Sequence, residues 1–499
     1  MFSFLFFTAL LVVGYIVYGK IAEKIFVINP DAETPAYKMG DGVDYVPMAR
    51  WKNILLHLIN IAGTGPIFGA IAGALFGPAA FAWIVFGCIF AGAVHDYMVS
   101  MLSLRNGGQN ISEIVGKYLG KNPLYIMRAF SLILLIFVGV VFTTTPAMVI
   151  QTLAAGFWDF AKNVQFRYIL IVVIFAYFIL ATMLPIDKLI GRIYPIMGAF
   201  MIFMAVGMGI MLFVSGDITR VPEFSFTNMR PDRDTNIMAR IFPFLFVAIA
   251  CGAISGFHAT QGPLVARCVK TEKDGRQIFY GAMILEGIIA MIWAAVTMGH
   301  FHVVGVESAV AAPVLVTNSS LAYLGIFGGA AVVIGVALCP ITSGDTAFRS
   351  ARILVAGVFK IDQKPIKNRL LVALPLFGVG AILVLFAIAN ARNFNIIWRY
   401  FAWSNQTLAT IGLWAASAYL AKTAKFYWIA LVPATFMTSV VSTYFFTANE
   451  TIGPIITRLT GHWQTTYAIG LVAGIGLAAI LFVLFVTQIG IKQKGTLQE

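Results

Sequence analysis

Charged side chains are scarce in this chain of 499 residues, since Asp, Glu, Lys and Arg together make up only 11% of it. A soluble domain typically carries about a quarter of its residues as charged side chains. Hydrophobic residues make up 60% of the chain, and the mean hydropathy is +0.88. That supply is enough for about a dozen membrane-spanning helices of about 20 residues each. The composition therefore excludes a soluble enzyme and predicts an all-α polytopic membrane protein.

Cysteine is also rare, and the four cysteines lack the paired spacing of a zinc site or of an extracellular disulfide framework. We interpret Cys88, Cys251, Cys268 and Cys339 as buried thiols. The motifs His-Glu-x-x-His and Cys-x-x-Cys-His are absent from the sequence, which disfavours a zinc or haem site. No hydroxyl nucleophile has an adjacent base that the sequence reveals, so we expect neither an enzyme nor a bound cofactor.

Thirteen apolar runs each predict a membrane-spanning helix. They cover residues 3–19, 52–76, 79–103, 126–150, 168–185, 188–214, 240–270, 277–300, 324–356, 369–390, 396–420, 426–447 and 466–490. The first residues lack the basic region of a signal peptide, which predicts a retained first helix with the N-terminus outside. In that topology the inner connections and their flanks collect 25 Lys and Arg residues and the outer ones 9.

The uneven division of cations predicts that the C-terminus is cytoplasmic, by the positive-inside rule. It also accounts for the net charge of +13 without a nucleic-acid partner. An alternative topology merges residues 52–103 into a re-entrant hairpin, which moves every later connection to the other side. The cation count would then be less uneven.

Two of the runs are interrupted by glycine, proline and polar residues. The second run contains Asn60–Pro66, with two glycines and a proline, and the seventh contains Cys251–Pro263. Unwound backbone inside a membrane is tolerated only where it lines a cavity or is buried in protein. Paired interruptions at matching positions of two halves point to the binding site of a transporter. The alternative is that these residues only permit kinks and close helix packing.

If each broken helix opens a five-helix unit, the chain contains two units, residues 52–214 and 240–420. An odd number of helices places the units in opposite membrane orientations, as in the LeuT-like 5+5 inverted repeat. One extra helix, residues 3–19, precedes the units, and two more follow in residues 426–490. We expect a single transmembrane transporter domain over residues 1–499, with its oligomeric state open.

The ninth run contains a third polar interruption, Cys339–Asp345. In a LeuT-like arrangement Thr342 and Ser343 would face the first broken helix and form a sodium site, because hydroxyl and carbonyl oxygens suit a hard cation. The alternative is that both hydroxyls bond back to their own helix near Pro340.

Ionisable residues inside the runs are functional candidates, since a charge in hydrocarbon is costly. The candidates for proton coupling or gating are His57, His95, Asp96, His258, Glu286 and Asp345. For Asp96 and Asp345 the alternative is a structural ion pair with Arg349 or Arg352. The polar stretch Trp403–Thr407 predicts a gate that includes Trp403 and Asn405, or else hydrogen bonds between helices.

Five motifs resemble the carbon starvation protein CstA family, and the resemblance covers nearly the whole chain. They are Asp41–Pro47, His57–Ile67, His95–Tyr97, Phe257–Gln261 and Phe401–Gln406. The resemblance implies import of short peptides during carbon starvation, or of pyruvate together with protons. It also implies a LeuT-like carrier of the bacterial inner membrane.

We therefore expect a secondary transporter that imports a short peptide or pyruvate by alternating access, with protons as the coupling ion. Half-helix N-termini at the two breaks would bind the substrate carboxylate. The predicted substrate-binding residues are Asn60, Gly63, Thr64, Gly65, Gly252, Ser255, His258 and Gln261. The alternatives are a sodium-coupled symporter of small carboxylates or amino acids, and a nutrient sensor or channel.

Overall fold

The computed structural model describes residues 1–42, 44–183, 194–304, 311–363, 365–493 and 495–496, and this part of the chain is helical without any strand. The first helices are α1 (Phe2–Ile16), α2 (Tyr18–Phe26), α3 (Pro35–Lys38), α4 (Arg50–Ile61), α5 (Gly65–Ala74), α6 (Ala79–Gly87), α7 (Ala93–Arg105) and α8 (Ile111–Leu119). A π-helical turn, Cys88–Gly92, joins α6 to α7.

The second half of the chain continues in the same way. The helices are α9 (Lys121–Ala155), α10 (Val164–Met183), α11 (Tyr194–Val214), α12 (Ile241–Ala248), α13 (Gly256–Ala266), α14 (Gly281–Val304), α15 (Ala312–Phe359), α16 (Ile366–Ala389), α17 (Ala391–Lys422), α18 (Trp428–Thr447), α19 (Gly453–Thr460) and α20 (Trp463–Phe485). Further π-helical turns, Arg276–Tyr280 and Val486–Ile491, precede α14 and follow α20.

The prediction of an all-α polytopic membrane protein is confirmed. Within the described ranges, ten helices are long and apolar enough to cross a membrane, or eleven if α4 and α5 form one bent span. The number is lower than thirteen because α12 and α13 are each too short to span and because α17 carries several polar residues. The thirteen crossings and the 5+5 arrangement stay predictions, and the join between the runs at 168–185 and 188–214 lies outside the described residues.

The first predicted interruption is present between α4 and α5. The chain leaves the helix at Ala62 and re-enters it at Gly65, with a bend of 50°. Pro66 occupies the first turn of α5, where a missing backbone N–H removes no hydrogen bond. The glycines and the proline thus permit both the exit and the restart of the helix.

The second predicted interruption is present as well, and it is longer. Helix α12 ends at Ala248 and α13 begins at Gly256, so seven residues, 249–255, separate the two helical halves. Gly252 and Ser255 lie in this break, whereas His258 and Gln261 lie on the regular helix α13. The break is therefore confined to the first part of the stretch that sequence suggested.

The third polar interruption, Cys339–Asp345, lies within a helix. Helix α15 runs without interruption through these residues, and its kink lies instead at Gly325, which has a positive φ of 66°. Thr342 and Ser343 both donate to the carbonyl oxygen of Cys339 on their own helix, at 2.8 and 3.1 Å, as the alternative to a sodium site predicted.

The second break packs against one face of α5 that is formed by glycines. Gly65, Gly69 and Gly73 are spaced four residues apart and lie on the same side of the helix. A Cβ at Gly65 would collide with Cys251, and one at Gly69 would come within 3.0 Å of the carbonyl oxygen of Ala248. The absence of side chains lets α5 lie directly against the second break, as small residues do at other membrane helix interfaces.

We expect Gly69→Ala to destabilise the protein by about 1–3 kcal/mol, the usual cost of overpacking, because its new methyl group would meet backbone that cannot turn aside. The control is Gly378→Ala on α16, which has no neighbouring atom within 4 Å of the added Cβ. The measurement is the thermal unfolding midpoint in detergent. Equal midpoints for the two variants would contradict the close crossing.

Candidate functional site

Four buried ionisable side chains from three helices lie in contact beside the second break. On α7, His95 Nδ1 lies 2.9 Å from Asp96 Oδ1. The other Asp96 oxygen lies 2.7 Å from His258 Nδ1 on α13. On its far side, His258 Nε2 is 3.3 Å from Glu286 Oε2 on α14. We call these four residues the histidine–carboxylate cluster.

The cluster is shielded from solvent, since all four side chains have no exposed surface. Among the described residues, no lysine or arginine forms an ion pair with Asp96 or Glu286. Two buried carboxylates without a cation are costly, so the arrangement favours bound protons. Imidazole and carboxyl groups in contact can also pass a proton between them. The cluster thus has the chemistry needed to bind and release a proton.

The alternative reading of Asp96 as the partner of an arginine is wrong, because Asp96 contacts two histidines instead. Asp345 lies outside the cluster and accepts a hydrogen bond from the Tyr177 hydroxyl at 2.9 Å. Arg349 donates to the carbonyl oxygen of Ala181 at 2.6 Å. From the sequence, Asp96 and Asp345 share the same two candidate arginine partners, but in the structure the two carboxylates bond to different side chains.

Three other candidates are buried with a polar atom that has no hydrogen-bond partner in the described part of the chain. These atoms are both ring nitrogens of His57, Asn60 Oδ1 and Gln261 Oε1. His57 packs edge-on against the ring of Phe279, with 5.1 Å between the ring centroids. Buried polar groups normally have partners, so orphaned groups beside both breaks suit a ligand or an ion.

Asn405 supports the second broken helix directly. Its Oδ1 accepts hydrogen bonds from the backbone N–H of Phe257 at 2.6 Å and from the Ser255 hydroxyl at 3.2 Å. It thereby satisfies one of the free N–H groups at the start of α13. The next residue, Gln406, donates to the carbonyl oxygen of Phe246 on α12. Asn405 is therefore a positioning residue for α13 in this structure.

Trp403, the other predicted gate residue, lies apart from the cluster. Its indole nitrogen donates to the carbonyl oxygen of Val441 on α18 at 3.0 Å, and its ring stacks on Phe445. These contacts fit the alternative of hydrogen bonds between helices.

Of the two predicted sodium ligands, Ser343 contacts the first broken helix, whereas Thr342 donates to Cys339 on its own helix. Besides its bond to Cys339, the Ser343 hydroxyl donates to the carbonyl oxygen of Ile59 at 3.1 Å. Thr64, in the break itself, lies 3.4 Å from the Thr145 hydroxyl of α9. The Ser343 hydroxyl and the Ile59 carbonyl oxygen therefore meet near the end of α4, and oxygen ligands of this kind suit a hard cation.

Sequence reasoning missed an aromatic layer over the first break. A Cβ at Gly63 would meet the ring of Phe142, which packs edge-on against Phe257 and Phe401. Trp398 extends the layer, with its ring 5.5 Å from that of Phe401. In a chain with 14% aromatic residues, no sequence signal distinguishes these rings from ordinary core.

Sequence also missed a small polar cavity of about 20 Å³ between α8, α9, α13 and α15. Hydroxyls of Ser112, Ser131, Thr260 and Ser350 line it, and the three serine hydroxyls have no partner among the described residues. A cavity of this size holds about one water molecule. Its residues come from four helices, so only the fold reveals it.

In the described ranges, no group of three or more His, Cys, Asp and Glu side chains is arranged to hold a metal ion.

The fold is similar to that of a solved structure. The structure of MhsT in complex with L-phenylalanine matches with a TM-score of 0.57 and covers 87% of this chain and 99% of that one. The sequences are only 14% identical, so the similarity concerns the fold alone.

Sequence relatives include proteins that are named as transporters. An uncharacterized membrane protein of Haemophilus influenzae is 46% identical over 60% of this chain and 91% of its own. The peptide transporter CstA of Bacillus subtilis is 25% identical over 86% of this chain and 87% of its own. The pyruvate/proton symporter BtsT of Escherichia coli is 28% identical over 54% of this chain and 45% of its own.

The family comparison agrees with the five motifs. Carbon starvation protein CstA matches at residues 2–164, 148–324 and 308–444, which together cover most of the chain. The family and the named relatives are transporters and not enzymes, as the sequence predicts. The chain belongs to the carbon starvation protein CstA family.

Proposed function

We propose that this protein is a secondary transporter that imports a small carboxylate-bearing nutrient, a short peptide or pyruvate, together with protons. The observation that carries the proposal is the histidine–carboxylate cluster, a proton-binding chain in direct contact with the second broken helix. The names of the Bacillus subtilis and Escherichia coli relatives support the substrate class.

Coupling follows from the cost of burying the carboxylates of the cluster. With a proton bound, the cluster carries less negative charge and is cheaper to enclose than its ionised form. Release of that proton on the cytoplasmic side would favour reopening of the site there. Because His258 lies on α13, gain or loss of the proton acts on the half-helix that contributes to the substrate site.

The substrate carboxylate would bind at the breaks. The start of α5 at Gly65 offers free backbone N–H groups and the positive end of a helix dipole. At the start of α13, Asn405 already accepts the N–H of Phe257. The first break is thus the better anion site, with Asn60, His57 and Gln261 as side-chain contacts.

Sodium coupling is the second candidate, and the contact between the Ser343 hydroxyl and the Ile59 carbonyl oxygen favours it. For the membrane arrangement we propose a bacterial inner-membrane protein with its N-terminus outside and its C-terminus in the cytoplasm. This orientation rests on the division of Lys and Arg between the two sides.

In proteoliposomes, we expect pyruvate or a short peptide to accumulate under an inwardly directed proton gradient in sodium-free buffer. A proton gradient drives accumulation beyond that in protein-free liposomes when protons and substrate cross the protein together. The measurement is uptake of each labelled substrate under a pH gradient, a sodium gradient, both or neither. Accumulation under the sodium gradient alone would favour the second candidate, and indifference to both gradients would contradict symport.

We expect Glu286→Gln to weaken the coupling of transport to the proton gradient while substrate exchange continues. Glutamine resembles protonated glutamate but cannot release a proton. Proton-driven accumulation should therefore fall by about tenfold or more, within the usual range of coupling between two sites, while exchange of labelled for unlabelled substrate continues. Glu113→Gln, at a partly exposed carboxylate paired with Arg128, is the control and should leave both activities unchanged. Equal loss of exchange and accumulation in Glu286→Gln would argue against a coupling role.

We expect Asn405→Ala to weaken substrate binding by about tenfold, because an unpaired buried donor costs about 1–3 kcal/mol and α13 would lose its position. The matched control is Asn390→Ala. Asn390 caps the exposed start of α17, the helix that also carries Asn405, and its side chain accepts a hydrogen bond from the backbone N–H of Asn393. Two quantities are measured for each variant, the apparent KM for uptake and the thermal unfolding midpoint. A KM change of the same size in both variants would show a general effect on stability.

A further inference from the structure

An apolar groove of about 840 Å³ runs along the outer wall of the protein between α4, α11 and α14. Leu55 and Leu58 of α4 line one side, Ile202 and Val206 of α11 another, and Ile288 and Ile292 of α14 the third. Ile202 and Val206 are more than half exposed, so the groove opens away from the core. Its volume lies within the range of about 300–1,000 Å³ that is common for ligand sites.

The groove is long enough to hold a lipid acyl chain. Its lining on α11 extends from Pro195 to Ile210, sixteen residues that span about 24 Å of helix. One leaflet of the hydrocarbon core is about 15 Å thick, half of the bilayer's about 30 Å. Small residues on α11 shape the groove: Gly198 lets Leu55 pack closely against the helix, and the exposed Ala199 leaves space that a larger side chain would fill.

Two cationic side chains, Arg50 and Lys52, lie near one end of the groove. Trp51 lines that end and is 58% exposed, as is typical of a side chain at the membrane interface. Arg50 lies one helical turn before the groove residue Ile54, and Lys52 lies with its ammonium group 5.6 Å from the ring of Trp51. Arg50 is also only 3.6 Å from Asp274, and its side chain remains 54% exposed. An anionic headgroup at this end would be attracted to both cations.

We propose that an anionic phospholipid occupies this groove, with an acyl chain between α4, α11 and α14 and its phosphate beside Arg50 and Lys52. The site is separate from the substrate path and its existence does not depend on the proposed transport activity. The lipid contacts α4, which ends at Ile61 and carries His57 and Asn60 toward the first break. A bound lipid therefore stabilises the position of the half-helix that leads into the substrate site.

The first test measures lipid binding to the intact protein. The purified protein is exchanged into phosphatidylcholine or phosphatidylglycerol, and the retained lipid is counted by native mass spectrometry. We expect the wild type to retain one phosphatidylglycerol in preference to phosphatidylcholine. Arg50→Gln with Lys52→Gln should weaken this binding about thirtyfold, the effect of removing two cations near an anionic lipid. Ala199→Phe, which fills the groove from an exposed position, should abolish it.

Matched variants separate the groove from general effects. Ala479→Phe places the same ring at an exposed alanine of α20, and Lys20→Gln with Lys121→Gln removes two exposed cations elsewhere. Both controls should retain phosphatidylglycerol as the wild type does. Equal retention of the two lipids by the wild type, or unchanged binding by Ala199→Phe, would overturn the proposal.

A second measurement uses Trp51 as a reporter and does not depend on the stability of the groove variants. Phosphatidylglycerol with brominated acyl chains should quench a saturable part of the tryptophan fluorescence at low mole fraction. Trp51→Phe should lack that part, whereas brominated phosphatidylcholine should produce it only at high mole fraction. Identical quenching curves for the wild type and Trp51→Phe would contradict a lipid in this groove.

Discussion

Inside a bilayer, the backbone groups that a broken helix frees have no water to bond, so the protein itself must provide their partners. Here the partners are uncharged side chains on continuous helices. Asn405 accepts the amide of Phe257, and Ser343 donates to the carbonyl oxygen of Ile59. These bonds support the breaks, and His258, in the first turn of the helix that starts at the second break, lies next to Asp96.

The choice of histidine rather than arginine as the partner of a buried carboxylate decides what that carboxylate can do. Near one end of the bundle, Arg105 binds both oxygens of Glu272, at 2.8 and 2.9 Å. Arginine keeps its charge at any physiological pH, so this pair is a fixed connection between helices. Asp96 faces two imidazoles instead, and those can gain and lose a proton. The same protein thus contains one ion pair suited to structure and one group suited to exchange.

The sequence predicted the helices and both breaks because glycine, proline and apolar periodicity act locally. It also named every member of the cluster, since any ionisable residue in an apolar run is unusual. It could not show that Asp96, His258 and Glu286 meet, because three separate helices carry them. For the same reason the role of Asn405 as a cap and the aromatic layer around Phe142 were not predictable. The hydroxyls of Thr342 and Ser343 bond back to Cys339 on their own helix, the alternative to a sodium site, and the local pattern could not decide between the two.

Helix α17 bonds to both halves of the second broken helix through adjacent residues, Asn405 to α13 and Gln406 to α12. Two neighbouring side chains on one rigid helix cannot follow two halves that swing in different directions. Any motion that preserves these bonds must therefore carry α12, α13 and α17 as a single body. If the proposed transport proceeds by alternating access, these helices would tilt as a three-helix unit, with no hinge at the second break.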